Sequence, residues 1–241
     1  MTTGANPYCE KASGKQQSAG GFLCALLPAA FCLAFPSCLP LLAGESISTT
    51  IAGLQRRYSA VNSIKANFRQ TYTAPGVEQV ESGVFWMKKP GLMRWEYRDP
   101  ETRLFVTDGH ETYLYTPEER QVMVSSFSSS ERHGTPLQFL LGEGNISASF
   151  EASFETESKP WLQGTVLLRL TPRSLEPDYS YILLEIDAGT YDVRRIVIRE
   201  RKGNSSQFLL TDMETNVKVE NGQFRFKIPK GVEIIRLDEK D

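Results

Sequence analysis

The sequence predicts a mainly β, α+β domain. One antiparallel sheet is heavily curved or closed into a barrel, a long helix precedes it and a short helical break interrupts it. Three observations carry this reading. Ten or so segments alternate apolar and polar residues at spacings of roughly eight to twelve residues, the rhythm of strands joined by turns. One stretch ahead of them has the three-and-four periodicity of an amphipathic helix. Strand patterns do not alternate with helix patterns, which argues against βαβ units.

Residues 1–44 are set apart first. Lys11 and Lys15 precede an almost charge-free run from Phe22 to Leu42, followed by Ala43-Gly44-Glu45. A weakly positive start, an apolar middle and small residues before a polar segment describe a cleaved secretory signal. A membrane anchor is the alternative, since about twenty apolar residues span a bilayer. Pro28, Pro36 and Pro40 argue against one long helix there. A third reading takes Phe35-Pro36-Ser37-Cys38 as a lipoprotein signal with Cys38 lipidated. All three send the folded part out of the cytoplasm, and residues 45–241 are expected to form a single domain.

Within that part, Ile47, Ile51, Leu54, Tyr58, Val61 and Ile64 recur at helical spacing, predicting a helix over Ser46–Phe68 with Ser46, Ser48 or Thr49 as N-cap. Alternation then takes over in Gly83–Lys89, Leu92–Tyr97, Leu104–Thr107, Glu111–Tyr115 and Gln121–Val124. Pro90-Gly91, Asp108-Gly109 and Pro117 separate these segments as turn and loop signals. Thr135–Leu141 reads as a short helix, with Thr135 as N-cap and Pro136 at its first position. Strands resume at Thr165–Thr171, Tyr179–Asp187, Val193–Arg201, Gln207–Thr211 and Phe224–Ile228.

Composition narrows function. The 241 residues are 40% hydrophobic and 23% charged, an ordinary globular balance that excludes wholesale disorder. Without Lys11, Lys15 and Glu10 the chain holds 25 basic and 28 acidic residues, net −3, so it lacks the basic excess of a nucleic-acid binder. All four cysteines (Cys9, Cys24, Cys32 and Cys38) lie before residue 44, and the chain has two histidines, His110 and His133. A thiolate metal site, a cysteine nucleophile and a disulfide are thereby excluded from the folded part. Asp108-Gly109-His110 reads as a hairpin turn, His133 lies in a Ser/Gly-rich loop, and neither a nucleophile elbow nor a phosphate-cradling loop occurs. An enzyme is not expected, and no metal or cofactor.

The strand faces are more informative. A period of two puts Met93, Trp95 and Tyr97 on one side of their strand, with Leu92, Arg94 and Glu96 on the other. Phe85, Met87 and Lys89 likewise oppose Val84, Trp86 and Lys88. Bulk recurs at Tyr113, Tyr115, Phe208, Leu210, Phe224 and Phe226. Such side chains either fill a barrel or line a cavity that holds an apolar ligand. Composition leaves both readings open.

Several stretches taken in order resemble the periplasmic outer-membrane lipoprotein carrier family, LolA. They are Phe68-Arg69-Gln70, the run from Ser82 to Gly91, Met93-Arg94-Trp95-Glu96-Tyr97 and Asp108-Gly109. Tyr113-Leu114-Tyr115-Thr116-Pro117, Gln121-Val122, Thr135-Pro136-Leu137 and the ending from Phe224 to Val232 follow. Together they span nearly all of residues 46–236.

The resemblance implies an incomplete antiparallel barrel closed by a lid of helices, and a monomeric carrier that shelters lipoprotein acyl chains. It implies receipt of cargo from an inner-membrane ABC lipoprotein transporter and delivery to an outer-membrane lipoprotein receptor. Phe68, Phe85, Met87, Met93, Trp95 and Tyr97 are then the acyl-chain residues, and Leu137, Leu140 and Leu141 the apolar face of a lid. Lys89 falls where the family carries an arginine that holds the lid. Lysine lacks the planar fork of arginine, so Lys89 or Arg94 is the candidate anchor. Two other functions fit the same shape: a periplasmic sensing domain that regulates a membrane protein, and an anchored receptor if Cys38 is lipidated. The short tail after Ile235 weighs against the sensing domain, which usually carries a second domain.

Overall fold

A computed structural model describes residues 46–127, 145–175 and 178–237. Helix α1 runs Ile47–Ser59, and the side chain of Ser46 caps it by accepting from the Thr49 amide at 3.2 Å. Ile51, Leu54 and Tyr58 bury its inner face, while Arg56 and Arg57 sit in the last turn, where cations suit the negative end of the helix.

The expected continuation of this helix to Phe68 is corrected: Ser63–Ala74 is strand β1. Val61, Ile64 and Phe68 do fall at helical spacing. Yet Ile64, Ala66 and Phe68 also alternate with Lys65, Asn67 and Arg69, and the burial follows the period of two. Pairing on both flanks decides between the patterns.

Strands β2 (Val77–Lys88), β3 (Leu92–Asp99), β4 (Arg103–Asp108), β5 (Glu111–Thr116) and β6 (Gln121–Ser126) follow as hairpins. The short helix α2 (Ile146–Ser149) leads into β7 (Phe150–Phe154), β8 (Thr165–Pro172), β9 (Tyr179–Asp187), β10 (Val193–Glu200) and β11 (Ser205–Thr215). The last strand, β12, is Glu233–Arg236. All twelve form one open, curled sheet in the order β12-β6-β5-β4-β3-β2-β1-β11-β10-β9-β8-β7. Strand β7, short and half-exposed, was not anticipated from its pattern.

Register carries one apolar face across the sheet. Phe154, Leu168, Leu184, Ile196, Phe208 and Gln70 stand opposite one another from β7 to β1, and Phe85, Trp95, Phe105 and Leu114 do so from β2 to β5. This face holds most of the core and receives α1. Gly83 lies where β2 shifts register against β3. A Cβ there would stand 1.8 Å from the Glu96 carbonyl oxygen and 2.9 Å from the Phe68 ring, so only glycine fits.

Two further expectations are corrected at the end of the chain. Phe224–Ile228 is not a strand. Asn221–Phe224 is one turn of 3-10 helix, and Phe224 is fully buried. This stretch straps the outer face of the sheet. Lys88 Nζ donates to the Val219 carbonyl at 2.8 Å, Arg94 Nη1 donates to the Gln223 carbonyl at 3.1 Å, and the Phe226 ring lies 5.4 Å from Tyr113 and 5.5 Å from Tyr115. The sheet is also not wholly antiparallel. Strand β12 pairs parallel to β6, Glu233 opposite Gln121, because the strap has carried the chain back across the outer face.

Candidate functional site

On the inner face, between β11 and β6, the sheet forms a groove of about 530 Å³, within the usual range of small-molecule sites. Register arranges its lining in rows. Met93, Thr112, Ser125 and Phe127 form one end; Trp95, Phe105, Leu114 and Phe208 form the middle; Gln70, Glu81, Tyr97 and Arg103 form the other end. The middle is apolar and the last row is polar.

Aromatic contacts stiffen the wall. Trp95 packs 4.3 Å from Phe85, 4.9 Å edge-on from Phe68 and 5.7 Å from Phe208, and Tyr97 lies 5.0 Å from Phe68, all centroid distances suited to aromatic pairs. In the polar row the Arg103 guanidinium pairs with Glu81 and stands 4.8 Å over the Tyr97 ring, within cation–π range. Tyr97 donates its hydroxyl to Gln70 Oε1 at 2.9 Å, and burial pushes its pKa up to about 12.

The structure brings Met93, Trp95 and Tyr97 into the groove. Phe68, Phe85 and Met87 share their face but are 3% exposed or less, packed into the core around Trp95 rather than lining the groove. Leu137, Leu140 and Leu141 lie outside the described residues. Tyr113, Tyr115, Phe224 and Phe226 serve the outer face under the strap.

The two anchor candidates stand on different faces. Lys89 follows β2, its backbone N–H donates to the Asn62 carbonyl at 2.9 Å, and its ammonium donates to the Tyr58 carbonyl in the last turn of α1. Lys89 therefore ties the helix that occupies the inner face. The same helix end is held from another side: Arg57 pairs with Asp192 at 2.7 Å, and the Tyr58 hydroxyl accepts from the Val193 amide at 3.0 Å. Arg94 points outward, bonding Glu96 at 2.8 Å and the strap at Gln223. Burial works against the Glu96 carboxylate, but hydrogen bonds from Arg94 and Arg98 outweigh it and hold the pKa below the ordinary value.

Sequence reasoning missed Glu81, Arg103 and Gln70. The signal available was a polar residue of each strand falling in phase with Phe68, Phe85 and Phe105, on what is otherwise an apolar face. Among the described residues no group of His, Cys, Asp and Glu could hold a metal ion, and no helix is long and apolar enough to cross a membrane.

Known proteins agree with this architecture. Residues 59–227 match the family model described as outer membrane lipoprotein carrier protein LolA. An outer-membrane lipoprotein carrier protein of Alkalilimnicola ehrlichii is 30% identical over 209 residues, covering 86% of this chain and 91% of that protein. One from Hahella chejuensis is 29% identical over 179 residues, 73% of this chain and 83% of that protein. Among solved structures, an uncharacterized conserved protein from Thermus thermophilus superposes with a TM-score of 0.50 at 12% identity, over 78% of this chain and 98% of that one. With a family match across more than half of the chain, this protein belongs to the LolA family of outer-membrane lipoprotein carriers.

Proposed function

We propose that this protein is a periplasmic carrier that holds lipoprotein acyl chains in the groove between β11 and β6. The observation that carries the proposal is the groove itself: an apolar trough with one polar end, beside a core that α1 and the sheet's own side chains fill. Residues 1–44 act as the secretory signal. Cargo arrives from an inner-membrane ABC transporter and leaves to an outer-membrane receptor, and no step requires catalysis.

Magnitudes set the form of the mechanism. Burying a methylene is worth about 0.8 kcal/mol, so ten contribute roughly 8 kcal/mol. Several chains buried whole would not be released on a useful timescale. A groove of about 530 Å³ shelters part of a lipid and leaves the rest for other surfaces. Leu137, Leu140 and Leu141, which follow the groove residue Phe127 in sequence, would supply such a surface as a lid. Apolar lid and acyl chain then compete for the same wall, and their balance governs loading and release.

Native mass spectrometry of the protein isolated from its own periplasm tests this, with Met93→Glu as the comparison. Met93 is 3% exposed at the wall of the groove, and a carboxylate there is costly to bury. The wild type should carry a lipoprotein or a lipid adduct and the folded variant should lose it. A variant that folds, loads and delivers normally would remove this groove from the pathway.

A further inference from the structure

The groove is not uniformly apolar. Strand register gathers Gln70, Glu81, Tyr97 and Arg103 at one end of it, from four different strands. Their arrangement is specific. Glu81 is 7% exposed and accepts from Arg103 and from the Gln79 amide, the latter at 3.3 Å. Tyr97 spends its hydroxyl proton on Gln70. A guanidinium has five N–H donors; Nη2 serves Glu81, Nη1 is not buried and makes no hydrogen bond among the described residues, and Nε is buried without an acceptor. The polar end therefore has donor capacity to spare, and the positive charge behind it is already compensated by a carboxylate.

We propose that this end recognises the neutral carbonyl oxygen of an acyl ester or amide, with Arg103 as the donor, and that it orients the chain. The inference rests on the acyl-carrier reading and refines it. A carbonyl oxygen accepts from a guanidinium without adding charge. A free carboxylate or phosphate would meet Glu81 nearby and gain little from an arginine that Glu81 neutralises. The linkage thus sits against Arg103, and the hydrocarbon runs past Trp95, Phe105 and Leu114 toward Phe127. A hydrocarbon lacking the carbonyl leaves the donor unmatched, and sites built to hydrogen-bond a ligand discriminate strongly against its absence.

Displacement of aminoanthracene fluorescence by methyl dodecanoate, dodecyl methyl ether and dodecanoate at neutral pH tests this on the purified protein. The wild type should bind the ester about tenfold more tightly than the ether, the value of one good hydrogen bond to a charged donor, and more tightly than the carboxylate. In Arg103→Met the ester and ether should become equal. In Glu81→Gln the arginine charge is unmasked, and the carboxylate should gain about tenfold. A diacylglyceryl-cysteine peptide should compete better than phosphatidylglycerol of matching chain length, because the phosphate gains nothing here.

Displacement by none of the compounds would overturn the acyl-carrier reading itself. Binding of ester and ether alike in the wild type, or an ester preference that survives in Arg103→Met, would overturn the subsite while leaving the carrier intact. Should Arg103→Met fail to fold, the wild-type preference and the Glu81→Gln inversion decide. Equal competition by the phospholipid would refute the selection for a neutral head.

Discussion

Lys89→Met removes a bond that ties α1 to the β2–β3 corner. The lysine ammonium donates to the carbonyl of Tyr58, at the helix end where the backbone carries partial negative charge. A hydrogen bond involving a charged group contributes about 1.5–3 kcal/mol. The charge–dipole part adds about 0.3–1 kcal/mol, and falls at the low end because Arg56 and Arg57 already occupy the last turn. Methionine keeps most of the aliphatic volume, so packing loss is small. The expected loss is about 2–3 kcal/mol, which raises the opening constant of the helix roughly 30- to 150-fold.

Hydrogen exchange reads this directly in the amides of Leu54–Ser59, with the β9 amides of Ile182 and Leu184 as an internal reference. Helix amides should exchange faster by that factor while the β9 amides change little. Lys89→Arg should stay close to wild type, since it keeps a charged donor beside the Tyr58 carbonyl. An acceleration below about threefold in Lys89→Met, or an equal acceleration in β9, would refute the reasoning.

Three other outcomes follow from the same geometry. Phe224→Ala empties the fully buried position beneath the strap and should cost about 3–5 kcal/mol in denaturant unfolding, with a matching rise in proteolysis around residues 216–231. Gly83→Val forces a Cβ onto the Glu96 carbonyl and the Phe68 ring, and should either prevent soluble expression or lower the melting temperature by about 6–12 °C, the effect of about 3 kcal/mol in a domain this size. Glu96 has a folded pKa below its unfolded value near 4.5, so its contribution is present above that pH and fades as pH falls through the folded value. Stability of Glu96→Gln should therefore converge with wild type on acidification below about pH 4.5 and fall short of it at pH 7; parallel stability curves would refute this.

The legible parts of this fold were those where one physical signal had no competitor. Phe85-Met87 and Met93-Trp95-Tyr97 alternate around Pro90-Gly91, so face, turn and pairing were all readable. Ile64 and Phe68 satisfied two periods at once, and the choice was made by β2 and β11 pairing on either side, which no local window contains. Phe224 and Phe226 alternate like a strand, but the outer face of β3 and β5 offered a surface to cover rather than an edge to pair. At the groove, alternation identified which side chains face inward. It could not separate Trp95, which lines the space, from Phe85, which supports it. Glu81 and Arg103 stayed hidden because each alone resembles a solvated surface charge, and β3 had to be placed between them before they became partners.

The strap and the strand after it also bear on how the protein folds. β6 has one neighbour from its own hairpin, β5, and its other edge is covered by β12, whose Glu233 pairs with Gln121 from 112 positions further along the chain. Such a distant pairing forms late, since loop closure over that span precedes any reward from the contact. Until residues 233–236 have paired, β6 offers a row of unpaired backbone groups beside the apolar groove, and an open strand edge next to exposed apolar surface invites pairing with another chain. The folding chain is accordingly most prone to aggregate while β1–β6 are formed and β12 is not, and chains ending anywhere between Ser126 and Glu233 would persist in that vulnerable state.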